Sequence, residues 1–546
     1  MPGSLSRRPR LLSHLVGEAA LRDPTAVAVR CAGESLTYRD LARRANGLAR
    51  VLSATGLERR DRVAVLLPKG LEVAVAFYGA LVSGATLVPI DPRSPVEQVV
   101  RILRATGARH LVSTPGKGAV VGQALAACPE VRHVIGLELE EARDGGPGSP
   151  GRGAAATEAL PWSAVLAEAS DRPPAVEVSD LDPAYILHTS GSTGMPKLIQ
   201  HTHSSAMSFV DWAVAEYSLT REDRLSNHSS HHTCFATFDY YAAAAAGAAT
   251  VLLTPAVLMM PGSLAALLEA EGVSVWYSVP TALVQLSLRG GLEGRDLSSL
   301  RWVLFAGETF AQKHLERIRE QLPGARFSHV YGSTETNVCT FYHLPEEGDL
   351  GHPLPIGKAC PNAVTRVVDD GLRPVPRGEV GELLVRGSTV MSGYWGEPEK
   401  NRQVLVGQPA AGGLEEVYFR TGDRVRTLDD GNLTFVARAD LQVKVRGFRV
   451  ELEEVETALL SLEAVEAAAA FAVADGEGSS ALGAAVVIDP GLSSAGDAAR
   501  EKEILDGLKR ILPVHAVPAQ IAVLGSLPRT PTGKVDRKAL QARWTP

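Results

Sequence analysis

The sequence predicts an α/β protein, with a large N-terminal domain of several subdomains on mostly parallel sheets and a small, mobile α+β C-terminal domain. Helical and strand-like patterns alternate along most of the chain, and its 546 residues exceed what one hydrophobic core usually holds. A new pattern begins near Asp440. We therefore expect domains at 1–439 and 440–546.

The alternation begins at residues 36–56, where LTYRDLARRANGLARVLSATG carries apolar residues at helical spacing and stops at a glycine. The next segment, DRVAVLLPKG, indicates a buried strand and a turn. Helix and strand recur in LEVAVAFYGALVSGATLVPI, VEQVVRILRATGARHLVST and LAALLEAEGVSVWYSVP. Strands separated by helices favour parallel pairing.

Two later segments complete the organisation. Residues 140–158, EEARDGGPGSPGRGAAATE, are rich in Gly, Pro and Ala and predict a solvated loop. In FVARADLQVKVRGFRVELEEVETALL, residues 435–460, a strand, a charged turn, a second strand and a helix follow one another. This segment is expected to open the small domain.

Composition excludes several classes of partner. With 55 basic and 62 acidic residues, the net charge of −7 gives no basic surface for nucleic acid or an anionic membrane. The N-terminal segment lacks an apolar signal region, and no apolar run reaches the ~18 residues of a membrane span. The five scattered cysteines form no CxxC pair, so we expect free thiols and a cytoplasmic protein.

The segment YILHTSGSTGMPKLIQHTH, residues 185–203, predicts a phosphate-binding loop after a strand. Glycines let backbone N–H groups turn inward, hydroxyls donate hydrogen bonds and a lysine supplies positive charge. The residues concerned are Thr189, Ser190, Gly191, Ser192, Thr193, Gly194 and Lys197. Pro196 and the glycine spacing exclude a Walker A loop, which runs directly into a helix.

Five further segments join this loop in a fixed order. They are VYGSTETNV, GELLVRG, YFRTGDRVR, ARADLQVKVRGFRVELEEVE and LPRTPTGKVDRKAL. Together the six resemble the core motifs of the adenylate-forming superfamily, specifically the amino-acid adenylation domains of nonribosomal peptide synthesis. Each motif alone is weak, whereas six in series, spanning nearly the whole chain, are specific.

The resemblance implies a reaction with ATP. Forming an acyl-adenylate brings a carboxylate against the α-phosphate, so the site must supply positive charge and orientation. The implied roles are charge from Lys534 on the small domain, α-phosphate binding by Thr334 and Mg²⁺ binding by Glu335. The phosphate-binding loop with Lys197 would hold the two phosphates that leave as pyrophosphate.

The nucleoside is expected to bind at two other motifs. The resemblance implies that Tyr331 stacks on adenine, with Gly332 and Ser333 beside it. Asp423 would accept hydrogen bonds from the ribose hydroxyls, and Arg438 would assist there. A core aromatic at Tyr331 and an Asx turn at Asp423 are the structural alternatives.

A second half-reaction is implied by the hinge motif. Rotation of the small domain about Asp440 would withdraw Lys534 and present Lys444 and Gly447 to a phosphopantetheine thiol. Only QARWTP follows Leu540, so we expect the thiol to belong to a separate carrier protein. Ala437, where glycine is usual, and Leu198, also at a usual glycine, depart from the family pattern.

The resemblance also locates an amino-acid pocket. In HHTCFATFDYYAAAAAG, Phe238 and Asp239 match the position where the family places an aspartate against the substrate ammonium, although Asp239 could instead cap a helix. The other matched positions are Tyr240, Ala243, Tyr277, Leu304, Ala306, Val330, Val338 and Cys339. They carry no second charge, which predicts a small neutral substrate.

The pocket residues look most like those of L-proline-activating enzymes. Tyr240 and Ala243 stand where leucines are expected, so alanine or another small amino acid is the runner-up. A fatty or aryl acid activated for coenzyme A would have no use for Asp239, and a non-catalytic nucleotide-binding scaffold would not need Lys534 with Glu335. His231, His232 and Cys234 fit no zinc pattern and are expected to be core or pocket-edge residues.

Overall fold

The structure is a computed structural model and describes residues 10–138, 157–189, 195–308, 310–348, 350–351, 353–438, 442–474, 480–488, 497–529 and 535–544. Most of the predicted loop at 140–158 lies outside these ranges. So do seven predicted site residues, whose assignments stay predictions: Ser190, Gly191, Ser192, Thr193, Gly194, Asp440 and Lys534. Within the described ranges, none of the helices has the length and apolar character needed to cross a membrane.

The helices alternate with strands as predicted. In chain order, α1 to α17 are Leu15–Arg22, Tyr38–Ala54, Leu71–Val82, Val96–Thr106, Gly118–Ala127, Trp162–Ala167, His203–Glu216, Phe235–Thr237, Ala243–Ala246, Pro255–Leu258, Pro261–Ala270, Pro280–Arg289, Gln312–Gln321, Pro398–Val404, Leu452–Leu460, Asp497–Ile511 and Arg537–Arg543. A π-helical turn, Phe238–Ala242, joins α8 to α9. Short 3₁₀ turns are Leu12–His14, Pro115–Lys117, Ala411–Gly413 and Val514–Ala516.

The predicted helix at 36–56 illustrates how the sequence forms these elements. The Thr37 hydroxyl caps α2 by accepting a hydrogen bond from the Asp40 N–H at 3.1 Å. Leu41, Leu48 and Leu52 recur at helical spacing and are buried, and α2 packs on α3. The helix therefore takes its start from its cap and its orientation from its apolar face.

The strands are short, as expected for a doubly layered α/β protein. In chain order, β1 to β27 are Val27–Cys31, Glu34–Thr37, Arg62–Val65, Thr86–Pro89, His110–Val112, His133–Ile135, Glu158–Leu160, Pro183–Thr189, Lys197–Thr202, Arg224–Asn227, Ala249–Leu252, Val275–Ser278, Trp302–Phe305, Arg326–Ser333, Asn337–His343, Lys358–Ala359, Ala363–Val368, Val380–Gly387, Gly393–Tyr394, Leu405–Pro409, Glu415–Thr427, Leu433–Arg438, Gln442–Val445, Phe448–Glu451, Val465–Ala474, Ser480–Ile488 and Gln520–Val523.

Two large sheets form the centre of the N-terminal domain. In the described residues their orders are β16-β15-β14-β13-β12-β10-β11-β1-β2 and β19-β9-β8-β4-β3-β5-β6-β7. The inner strands pair in parallel, for example β10 with β12 and β12 with β13, and antiparallel pairs lie toward the edges, for example β14 with β15 and β8 with β9. The predicted α/β fold is confirmed.

A third sheet differs from the expected parallel pairing. It has the order β17-β18-β21-β20, with β22 paired to β21, and all of these pairs are antiparallel. Parallel neighbours need a crossover of a dozen or more residues, usually a helix, and no α-helix separates β17 from β18 or β21 from β22. The motifs quoted from this region gave no sign of that change.

The C-terminal part is smaller and has its own core. β23 and β24 form an antiparallel pair, named here the C-terminal hairpin, and β25, β26 and β27 form a mixed sheet covered by α15 and α16. Its buried side chains include Val450, Val455, Leu459, Leu482 and Leu508. A large N-terminal domain followed by a smaller α+β domain is therefore confirmed.

Candidate active site

Four of the predicted nucleotide residues line one cavity of about 500 Å³. Tyr331 and Gly332 line it from the end of β14, and Asp423 and Arg438 from β21 and β22. Lys444, on the C-terminal hairpin, closes another side. An apolar wall completes the lining with Leu315, Leu350, Leu354, Ile356 and Phe435. The cavity thus combines a flat apolar surface with a few polar groups, as small-molecule sites commonly do.

Asp423 is fixed by two partners within this cavity. It lies opposite Arg438 in the β21–β22 register, and the Arg438 guanidinium donates to its carboxylate. The Tyr331 hydroxyl donates to the other carboxylate oxygen. Burial, followed by the negative charge of Asp423, raises the pKa of Tyr331, so the hydroxyl stays protonated as a donor. The two donors hold the carboxylate in place.

The turn after β14 requires a glycine. A Cβ on Gly332 would lie 1.6 Å from the carbonyl oxygen of Asn337, a distance that no side chain allows. The close approach shapes the turn that carries Ser333, Thr334 and Glu335. His201 holds that turn, because its Nε2 lies 2.8 Å from the Thr334 carbonyl oxygen and burial lowers its pKa to about 4, which keeps it neutral.

Glu335, the predicted Mg²⁺ ligand, is fully buried and paired. Nη1 of Arg449 lies 2.7 Å from each carboxylate oxygen, and the Tyr394 hydroxyl donates to Oε1 at 2.8 Å. Burial alone would raise the pKa of Glu335, but the Arg449 charge and these hydrogen bonds outweigh it and hold the pKa at about 2. In this arrangement a guanidinium from the C-terminal hairpin occupies the side of Glu335 that a cation would approach.

Lys197, of the predicted phosphate-binding loop, is paired in the same manner. It lies opposite Thr189 in the β8–β9 register and forms an ion pair with Glu451, the last residue of the C-terminal hairpin. Glu451 and Arg449 are two residues apart on β24 and so project from one face of the strand. That face therefore engages both predicted phosphate-site charges of the N-terminal domain.

The turn of the C-terminal hairpin also enters the N-terminal domain. The Gly447 N–H donates to Oε1 of Glu308 at 2.5 Å, and its φ of +81° lies in the region that favours glycine. A Cβ there would lie 2.5 Å from Cγ1 of Val279. Gly447 borders a narrow cavity of about 80 Å³, which Thr189, Cys234 and Thr334 also line. The two residues predicted to face a thiol therefore line cavities: Lys444 lines the large cavity and Gly447 lines the narrow one.

The ten predicted amino-acid pocket residues are all buried and lie together in the principal core. They are Phe238, Asp239, Tyr240, Ala243, Tyr277, Leu304, Ala306, Val330, Val338 and Cys339. Parallel register aligns Asn227 with Tyr277 and Tyr277 with Leu304 across adjacent strands. The Phe238 and Tyr277 rings meet edge to face at 5.4 Å between centroids.

Asp239 is the only charged member of that set. Oδ2 accepts a hydrogen bond from Nδ2 of Asn227 at 2.9 Å, whereas buried Oδ1 has no partner among the described residues. Burial raises the pKa of Asp239 well above its ordinary value. The residue lies inside the π-helical turn rather than at a cap position, and π turns are frequent at functional sites.

The histidines near the pocket are packed core residues. Nδ1 of His231 lies 3.3 Å from the Tyr240 hydroxyl, and the His232 ring stacks on His188 at 4.7 Å. In the described ranges, no group of three or more His, Cys, Asp or Glu residues is arranged to hold a metal ion. The five cysteines are free thiols, as predicted, and burial raises the pKa of Cys234 to about 11.

Sequence reasoning did not assign several residues that the structure brings to the site. Arg449 and Glu451 lay inside a quoted motif, and their alternation on a strand could have indicated a shared face. His201, Asn227 and Tyr394 had no recognisable signal, because their roles depend on contacts far apart in the chain.

Comparisons with known proteins agree with this geometry. The family model described as "AMP-binding enzyme" matches residues 16–395, and "AMP-binding enzyme C-terminal domain" matches 454–534. An L-proline--[L-prolyl-carrier protein] ligase of Pseudomonas fluorescens is 33% identical over 535 residues, 97% of this chain and 99% of that protein. Its namesake from Streptomyces coelicolor is 34% identical over 93% of this chain and 92% of its own. The amide bond synthetase McbA from Marinactinospora thermotolerans superposes with a TM-score of 0.83 at 26% identity, covering 98% of this chain and 100% of its own.

Proposed function

The chain belongs to the AMP-binding enzyme family, and on that premise we propose that it activates a small neutral amino acid, best L-proline, as an aminoacyl-adenylate. ATP is the second substrate and pyrophosphate the first product. The acyl group then passes to the phosphopantetheine thiol of a separate carrier protein. Two relatives named as L-proline--[L-prolyl-carrier protein] ligases, similar over nearly their full length, support this assignment.

One observation carries the amino-acid assignment. The buried Asp239 carboxylate has one oxygen without a partner among the described residues, and the other predicted pocket positions carry no second charge. An unpaired buried charge is costly, and a substrate ammonium would satisfy it. A fatty or aryl acid offers no such group, so the same residue disfavours a coenzyme A ligase for those acids.

The large cavity supports binding of the nucleoside. Tyr331 would stack on adenine, and Asp423, held by Arg438, would accept hydrogen bonds from the ribose hydroxyls. The turn with Ser333 and Thr334 follows Gly332 at the edge of that cavity, and Thr334 would bind the α-phosphate there. Lys197 and the loop before it would bind the departing phosphates.

Mg²⁺ is part of the proposal, with Glu335 as its protein ligand. A carboxylate is the donor that this hard cation prefers, so the residue type fits. When bound, the ion would neutralise charge on the phosphate oxygens. Arg449 holds both oxygens of Glu335 in the described arrangement, so metal binding requires the C-terminal hairpin to leave.

The two half-reactions are assigned to two positions of the C-terminal domain, with the boundary at 439/440. The described arrangement, with Gly447 against Glu308 and Arg449 on Glu335, suits thiol transfer because it excludes other groups from the phosphate site. Rotation about Asp440 would remove this hairpin and bring in Lys534. Lys534 would then donate to both the attacking carboxylate and the α-phosphate, relieving their repulsion.

Substrate-dependent exchange of labelled pyrophosphate into ATP tests the proposal. We expect exchange with L-proline, with alanine the next candidate, and none with fatty or aryl acids. Asp239→Asn keeps the side-chain shape but removes the charge, and should lower kcat/KM for the amino acid by about 10- to 150-fold, since hydrogen bonds to charged groups contribute about 1.5–3 kcal/mol. Asp296→Asn, at an exposed turn, is the control. Undiminished exchange by Asp239→Asn would overturn the amino-acid assignment.

A further inference from the structure

We propose that Lys69, acting together with Asn227, is a positioning residue that favours the ionised form of Asp239 in the amino-acid pocket, ready for the substrate ammonium. The inference rests on the proposed role of Asp239 as the ammonium partner. None of the motifs in the sequence includes Lys69, which follows β3 and looks there like a solvated turn residue. The structure instead directs its ammonium group into the protein.

The Lys69 ammonium is fixed by backbone acceptors. Nζ donates to the carbonyl oxygen of Asn227 at 2.6 Å and to that of His228 at 2.8 Å. Both carbonyls lie at the end of β10, in the row of strand ends that also presents Tyr277 to the pocket. A lysine held in this manner supplies a positive charge at a defined place rather than on a flexible stem.

Asn227 links this cation to the carboxylate. Its backbone carbonyl accepts from Lys69, while its fully buried side chain donates to Oδ2 of Asp239 at 2.9 Å. The main chain of the π turn is held as well, because the Thr250 hydroxyl donates to the Asp239 carbonyl at 2.6 Å. These contacts leave Oδ1 of Asp239 for a ligand.

Lys69 and Asp239 differ in the groups that act on their pKa values. Burial is the main cause that lowers the pKa of Lys69, to about 7, and the charges of Asp239, Arg93 and Cys31 act on it as well. Burial raises the pKa of Asp239, against which Asn227 and Lys69 act. His228 and His231 near Lys69 are neutral, because burial lowers their pKa values.

The remaining titratable neighbours of Asp239 carry no charge either. Burial raises the pKa values of Tyr240 and Tyr277, so both hydroxyls stay protonated at neutral pH. Among the described residues, Lys69 is therefore the cation whose charge opposes protonation of Asp239. Each of the two buried charges favours the ionised form of the other.

Lys69→Met removes this cation with little loss of volume. The pKa of Asp239 should rise further, and for each unit above the assay pH the ionised fraction falls about tenfold. We expect the KM for the amino acid to rise at least ~10-fold at pH 7 and to recover as the pH approaches 9, relative to the unmodified enzyme at each pH. The kcat and the KM for ATP should change less than ~2-fold, because neither depends on ammonium capture.

Matched variants separate this role from simple packing. Lys69→Arg keeps the charge and should restore most of the affinity at pH 7. Asn227→Leu removes the donor to Asp239 but keeps the carbonyl that Lys69 uses, and should shift the same pH profile upward. It serves as the test if Lys69→Met does not fold. Lys313→Met, on an exposed face of α13, should leave the profile unchanged.

The pyrophosphate-exchange profile from pH 6 to 9 decides between the outcomes. An upward shift in both Lys69→Met and Asn227→Leu supports the inference. A KM that rises equally at every pH, or does not rise, overturns it. A failure of the proposed function would give a different result. The unmodified enzyme would show no amino-acid-dependent exchange, or Asp239→Asn would exchange pyrophosphate as fast as the unmodified enzyme.

Discussion

The pKa values of two buried carboxylates in the candidate site are shifted in opposite directions because their partners differ. Glu335 has a guanidinium on both oxygens and a tyrosine hydroxyl on one, so its pKa falls to about 2. Asp239 has one amide donor, and burial raises its pKa. The first is a satisfied ion pair, whereas the second keeps one buried oxygen without a partner among the described residues.

The Glu335–Arg449 pair predicts an acid-sensitive contribution to stability. The folded pKa of about 2 lies below the ordinary value of 4.5, so the stabilisation is complete above about pH 4.5 and is lost as the pH falls toward 2. A shift of this size corresponds to something on the order of 3 kcal/mol. Thermal unfolding midpoints of the unmodified enzyme and Glu335→Gln should therefore differ at pH 6 and converge as the pH falls toward 2.

Glu293→Gln, at an exposed position, is the control for that comparison and should follow the unmodified enzyme at every pH. A gap between the unmodified enzyme and Glu335→Gln that stays constant with pH would show that the pair does not stabilise this arrangement.

Residues that carry chemistry were predictable where a motif surrounds them. Asp239, Tyr331 and Asp423 were identified from their flanks, and the structure brings the last two together at one cavity. Lys69 was not, because a lysine after an apolar strand usually marks a solvated turn. Its burial arises from the carbonyls of β10, a strand more than 150 residues away, and no local pattern encodes that contact.

At the level of elements, the tight turn of the C-terminal hairpin predicts a separation of the two half-reactions. Gly447→Ala would place a methyl group 2.5 Å from Val279 and force an L-residue to φ +81°, which together cost about 1–3 kcal/mol or more. We expect acyl transfer to pantetheine to fall at least ~10-fold, while pyrophosphate exchange stays within ~3-fold.

Gly431→Ala offers a matched control, because that glycine also has a positive φ of +84° but its Cβ would meet nothing nearer than 3.7 Å. Equal losses in both half-reactions for Gly447→Ala would contradict the assignment of the hairpin to thiol transfer.

Helices and strands were predictable from periodicity, whereas the antiparallel pairing of one sheet was not. Alternating helix and strand predicted mostly parallel pairing in the large sheets, and the stop at glycine predicted the end of α2. The antiparallel sheet of β17, β18, β20, β21 and β22 was missed because it was read through its motifs, GELLVRG and YFRTGDRVR, and not through its connections. Short turns without crossover helices were the available signal.

For the whole molecule, the proposed rotation predicts that fixing the described arrangement stops adenylation. A Cβ on Gly447 would lie 3.2 Å from Cβ of Val279, so a small outward shift would bring the two atoms to the ~3.5–4.5 Å separation in a disulfide. Oxidised Val279→Cys/Gly447→Cys should lose pyrophosphate exchange at least ~100-fold, since Lys534 would be unable to approach. A reductant should restore the exchange, and Gly447→Cys alone should show no dependence on oxidation.

Full exchange by the oxidised double variant would contradict the rotation. The order of the motifs predicted the large domain and the smaller domain after it. It did not predict which motifs of the two domains would contact each other. That contact joins residues 197 and 335 to 449 and 451, and a linear sequence does not record such distances.

The two ion pairs at the C-terminal hairpin have opposite polarity. The N-terminal domain contributes a cation at Lys197 and an anion at Glu335, and the hairpin answers with Glu451 and Arg449 in complementary order. A hairpin that seated two residues out of step would set like charges against each other, at a cost of several kcal/mol. The order of charges therefore favours a single register of the hairpin. A domain that rotates as proposed would return to that register each time.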